Sequence, residues 1–146
     1  MTHIWEYDSL DHRSEVRAKL AADPAFLEYF AKLRTMLISQ HAVMTEGLDY
    51  KPELVPADRK HVFALEAFSE ASQIPDVGAI DGTEGVCVGV FEECIGEIGK
   101  KHALYAAPTF ESLRQSLELR RLTDPLTAAS KRDVKFLTPT SWSPMQ

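Results

Sequence analysis

The chain has 146 residues, 45% of them hydrophobic, and a formal charge of −6, which suits one modest core and excludes a disordered polymer. Its cations form no run, so nucleic acid, whose binding rests on clustered Lys and Arg, is not expected as a partner. No apolar stretch approaches the roughly 20 residues that cross a bilayer, and Glu6, Asp8 and Asp11 stand where an organelle presequence would be basic and poor in acids. Cys87 and Cys94 have no C-x-x-C spacing and no His at ligand distance, and read as reduced thiols in a non-oxidising compartment.

In chain order, His3, Ile4, Trp5, Glu6 and Tyr7 alternate as a strand does, which sets His3, Trp5 and Tyr7 on one face. Ser9 caps a helix holding Leu10, Val16 and Leu20, and Asp23 followed by Pro24 restarts it in N-cap and N1 order. In that second helix Phe26, Leu27, Phe30, Leu33, Leu37 and Ile38 recur at threes and fours, an apolar stripe running to about Gln40. A short strand is expected over 41–45. The following stretch, GLDYKPELVPADRK, reads as a linker because Pro52 and Pro56 disfavour both regular states.

HVFALEAFSE, beginning at His61, predicts a strand apolar on both faces for most of its length. A crossover helix should follow, yet Pro75, Gly78 and Gly82 leave room for a turn or two, so one face of the sheet is expected to need cover from another polypeptide. VCVGVFEECIGEIG and KHALYAA predict a hairpin turned near Gly99 and Lys100. Thr109 caps a helix with Phe110, Leu113 and Leu117 on one face, broken at Asp124 and Pro125, and VKFLTPTSW is the last strand.

The two halves echo one another, HIWEYDSLDHR and RAKLAADP against HALYAAPTFESLR and ELRRLTDP. Each reads as strand, broken helix and strand, so the fold class is α+β with tandem units of the ferredoxin-like β-α-β-β-α-β kind. The expected division is a partial β-α-β repeat over 1–46, a linker over 47–60 and a reduced second repeat over 61–146, their two sheets sharing a core.

The run from His3 to Leu10, with His12, Arg13, Glu15, Val16, Arg17, Asp23 and Pro24, and the ending FLTPTSWSPMQ resemble the NIPSNAP family. The resemblance is tight over 3–45 and the last ten residues and looser between. It implies two domains of dimeric α+β-barrel type, mitochondrial residence, with the cytoplasm as the alternative, and association with other proteins. The strand, helix and strand that would precede His3 in the family are absent, so the chain is expected to start in mid-domain.

Each chemical reading stands beside a plainer one. His3, Trp5, Tyr7 and His102 either line a cavity, with His3 as acid or base and Trp5 as a stacking surface, or serve packing, which is the expected outcome. Arg13 and Arg17, one helical turn apart, either clamp an anion or form a solvated face beside Asp8, Asp11 and Glu15. Glu92, Glu93 and Glu97 read as the solvent face of the hairpin. No H-E-x-x-H, G-x-S-x-G or Walker spacing is present, and no metal or cofactor is expected.

A half-domain with open strand edges demands a partner, and the stripe Phe26, Phe30, Leu33, Leu37 is the candidate partner-binding face. The expected function is a non-enzymatic interaction or scaffold protein, an accessory subunit of a larger assembly whose partners are other subunits or a second copy. The alternative is a small cofactor-free or ligand-binding enzyme with a barrel cavity. Strand faces filled wholly by apolar side chains would remove the site that the alternative needs.

Overall fold

The computed structural model describes residues 4–36, 38, 42–56, 60–68, 74–97, 99–123 and 133–138. The chain divides into two compact units, residues 1–42 and 43–146.

The described part of the first unit is helical. Ser9 accepts the His12 N–H at 3.0 Å and starts α1, Leu10–Ala22. The Asp23 carboxylate accepts the Ala25 N–H at 2.9 Å while Pro24 opens α2, Pro24–Met36. Part of the expected stripe forms on α2: Phe26 and Phe30 stack with centroids 5.8 Å apart, and both are half-buried with Leu33, whereas Leu27 is exposed and Ile38 lies exposed beyond the helix end at Met36. Leu37 lies outside the described residues. The opening strand does not form, because residues 4–8 lie outside regular structure and pair with no described strand. Alternation alone cannot make a strand without a ladder to join.

The second unit is an antiparallel sheet of β1 (Met44–Tyr50), β2 (Val62–Phe68), β3 (Gly78–Ala79), β4 (Val86–Ile95), β5 (Lys101–Ala107) and β6 (Asp133–Leu137), with α3 (Phe110–Thr123) on one face. The order is β1-β4-β5-β2-β6, with β3 also against β4. Strands β4, β5, β2 and β6 have the arrangement of the β-α-β-β-α-β unit, second, third, first and fourth. The α+β, ferredoxin-like class is therefore present. The expected pair of sheets is not: among the described residues one sheet forms, and β1 runs to Tyr50, into the stretch read as linker, as its edge. The prolines lie just beyond, where Pro52 opens a short 3-10 turn, Pro52–Leu54.

The hairpin of β4 and β5 turns through Gly96 and Gly99, with φ +139° and +83°, values that favour glycine. A bulge at Cys87–Gly89 shifts the alternation of β4 by one. Cys87 and Val90 thus join Val62, Ala64, Phe68, Ala103 and Tyr105 under Leu113 and Leu117 of α3. Thr109 and Ser112 cap α3 reciprocally, each side chain accepting the other's backbone N–H, at 3.1 and 3.2 Å.

In the part of the crossover that is described, residues 74–85, no helix is present; residues 69–73 lie outside the described residues. The sheet is nevertheless not bare there. Val77 is buried, and Ile80 and Leu54 pack on the same core, held by a hydrogen bond from Lys51 Nζ to the Val77 carbonyl at 3.1 Å. On the opposite face Phe63, Val88 and Leu104 are buried too. Among the described residues, three aliphatic side chains thus cover part of the face that was expected to be open.

Gly85 passes directly beneath α3, where an added Cβ would lie 2.3 Å from Ser116 Oγ and 2.8 Å from its Cβ. Gly85→Ala should destabilise the unit by about 1–3 kcal/mol, the usual cost of overpacking. Chemical denaturation of the two proteins measures it.

Candidate functional site

Sequence alternation places His102 on the sheet face turned away from α3, opposite Phe91 of β4 and Ala67 of β2. Beyond the bulge, Phe91 and Glu93 point to that same face. The outcome is a close pair, His102 Nε2 to Glu93 Oε1 at 2.7 Å, and the second carboxylate oxygen accepts the Glu97 N–H at 2.6 Å. Glu93 is 4% exposed, so it is not the solvent-facing residue that its place near a turn suggested. Glu97 is exposed and pairs with Lys100 at 2.9 Å, and Glu92 lies 3.7 Å from Lys101.

Burial opposes the charge on Glu93, but the hydrogen bonds from His102 and the Glu97 N–H outweigh it and hold the carboxyl below its ordinary 4.5. Nδ1 of His102 is buried and has no hydrogen-bond partner among the described residues. In the neutral ring, Nε2 donating to the carboxylate leaves Nδ1 with a lone pair. Tyr50 and Phe91, with ring centroids 5.6 Å apart, supply an aromatic surface on the same face.

A second polar group lies under α3. Glu66, in the middle of the apolar β2, is 1% exposed and accepts from Arg120 at 2.7 Å and from the Tyr105 hydroxyl at 3.1 Å. The Arg120 guanidinium also donates to the Tyr105 oxygen and lies 5.9 Å from the Phe68 ring centroid. Cys87 shares this core, and burial pushes its thiol up to about 12. Cys94 is exposed, and both cysteines are free.

Of the four cavity residues expected, His102 stands at a polar pair. His3 lies outside the described residues. Trp5 is 60% exposed, so it is not a core aromatic. Tyr7 meets His12 edge-on at 6.1 Å. Arg13 is half-buried and Arg17 exposed on α1. Among the described residues no group of His, Cys, Asp and Glu could hold a metal ion, and no helix is long and apolar enough to cross a membrane. The strand faces are not wholly apolar, since Glu66, Glu93 and His102 occupy them.

The NIPSNAP family model matches residues 1–45. NipSnap homolog 3A of Homo sapiens and that of Pongo abelii are each 27% identical over 163 aligned positions, covering 99% of this chain and 66% of the relative. Over residues 1–45 the chain is thus similar to the NIPSNAP family. The chain spans just under two thirds of the length of the curated relatives that it matches. No solved structure matches it.

Two measurements probe the polar groups of the sheet. A proton binds Glu93 less tightly in the folded chain than in the unfolded one, so its contribution to stability is whole above pH 4.5 and is lost as pH falls through the folded pKa. Glu93→Gln should therefore flatten the fall of stability below pH 4.5, as followed by thermal unfolding across acid buffers. Arg120→Met leaves Glu66 buried without its cation and should cost about 3–5 kcal/mol by urea denaturation.

Proposed function

We propose that this chain is a NIPSNAP-like interaction protein, an accessory subunit of a larger assembly that it joins through open edges of its sheet. The observation that carries the reading is β1. Its five central residues, Thr45 to Asp49, are all exposed, and only one side of the strand is paired among the described residues. The stripe Phe26, Phe30 and Leu33 on α2 is a further contact face within this proposal. Residence in the mitochondrion rests on the family resemblance alone, and the cytoplasm is its alternative.

A second reading, a small ligand-binding or enzymatic role, is favoured by the buried, unpartnered Nδ1 of His102 beside an ionised Glu93. A carboxylate that fixes a histidine tautomer leaves the other nitrogen able to take a proton from a bound hydroxyl.

Native mass spectrometry of the protein from its source tests the first reading. The wild-type chain should leave as a complex. Leu48→Lys, which puts a cation on the exposed edge strand, should weaken the complex while the isolated chain keeps its melting temperature. A monomer from the native source would refute the proposal.

A further inference from the structure

Strands β1 and β3 lie end to end along one side of β4: β1 pairs with its residues 89–95 and β3 with Val86 and Cys87, while β5 takes the other side. With the 3-10 turn after β1 they make one border of the sheet. Thr45 to Asp49 are exposed, and the stretches that adjoin β1, residues 42–43 and 51–56, are described and set no strand against its outer side.

The border is charged one way. Glu46, Asp49, Glu53, Asp76, Asp81 and Glu84 are all exposed, and none has an ion-pair partner among the described residues. Its cation, Lys51, donates through Nζ to the Val77 carbonyl at 3.1 Å. On β5 and its turn, Lys100 holds Glu97 at 2.9 Å and Lys101 lies 3.7 Å from Glu92.

A bulge brings two of these acids together. The register against β4 shifts between Gly47 and Asp49, so Glu46 stands opposite Glu92 and Asp49 opposite Val90. Glu92 and Val90 alternate on β4, and Val90 is buried in the core under α3. Glu46 and Asp49 therefore share that face.

We infer that this border receives an extended basic segment of a partner protein, which adds to β1 as a further strand and sets two cations at alternate positions against Glu46 and Asp49. This deepens the interaction reading above and rests on it.

Charge and geometry select that occupant. A strand edge offers backbone donors and acceptors that only an extended chain satisfies along its length. Acids and a bulge on an edge keep indiscriminate strands away. They turn back a second copy first, because an added MTEGLDY brings two more acids to a border already rich in them. A segment of opposite charge meets attraction at the same residues. Its cations must alternate, since neighbouring side chains of a strand point to opposite faces.

Three peptides, Ac-TKVKT-NH2, Ac-TEVET-NH2 and Ac-TKKVT-NH2, test the site against the full-length, 15N-labelled chain at low salt. The first should move the amide signals of 44–50 and bind about tenfold more tightly than the second, a difference of about 1.4 kcal/mol. The third carries the same charge with its cations on opposite faces, and should bind about threefold more weakly than the first. The double variant Glu46→Lys, Asp49→Lys changes two exposed side chains and should reverse the preference between the first two. Equal shifts with those two, or none at about 5 mM peptide, where even a millimolar Kd would show, would overturn the site. Equal binding of the first and third would overturn it as well, since charge without strand pairing would then suffice. Self-association that moves these signals without peptide would give the edge to a second copy, with the same consequence. A native complex that Leu48→Lys weakens, together with peptides that show no charge preference, would remove the basic segment and leave the interaction reading standing. Peptide shifts on a chain isolated as a monomer would do the reverse.

Discussion

The ion pair between Glu66 and Arg120 constrains what the second unit can be. A carboxylate in the middle of an apolar strand cannot remain charged under a helix without a cation, and Arg120 is placed to supply it only if α3 lies across β2 and β5 in one orientation. Leu113, Leu117 and Arg120 share one helix face, so the two leucines that bury the helix and the arginine that neutralises Glu66 are set by the same rotation. Tyr105 closes the group from the neighbouring strand. The polar knot adds orientation to a contact that hydrophobic burial alone would leave free to slide.

Much of the second unit was legible in the sequence because its elements satisfy local rules. The hairpin follows from Gly96, Gly99 and two alternating strands, and α3 from Thr109 and a stripe of leucines. The helix pair of the first unit follows from Ser9 and Asp23-Pro24. The opening strand misleads for a specific reason: residues 4–8 alternate as well as KHALYAA does, but a strand is a relation between chains of hydrogen bonds, and KHALYAA has β2 and β4 on its two sides. The same pattern gives a different result in different company.

The polar pairs were harder to read. Glu93 looked solvent-facing because it lies on a hairpin near its turn, and only the bulge, which cannot be seen in the sequence, sets it on the face of His102. Glu66 carried a readable signal, a lone acid alternating with Val62, Ala64 and Phe68, and Arg120 another, at the right interval after Leu117. Neither signal means much until both elements are known to touch. What a family resemblance supplies is different again, since it names relatives without saying which of these groups carries out their work.

The bulge gives β4 one residue more than its ladder requires. Val86 and Cys87 pair correctly with β5 on one side of it and Gly89 to Glu92 on the other, so Val88 is the spare. Loss of Val88 would cost a buried valine and the hydrogen bond that its carbonyl accepts from the Lys51 N–H at 3.1 Å, yet leave the pairs with β5 and both faces unchanged. Loss of any residue between Gly89 and Glu93 would instead turn the segment between the gap and the turn over, taking Glu93 from His102 or bringing an acid beneath the core. Against β5, the strand is therefore free to shorten at this point without turning a face over, and sequence drift along that ladder should concentrate its single-residue gaps there.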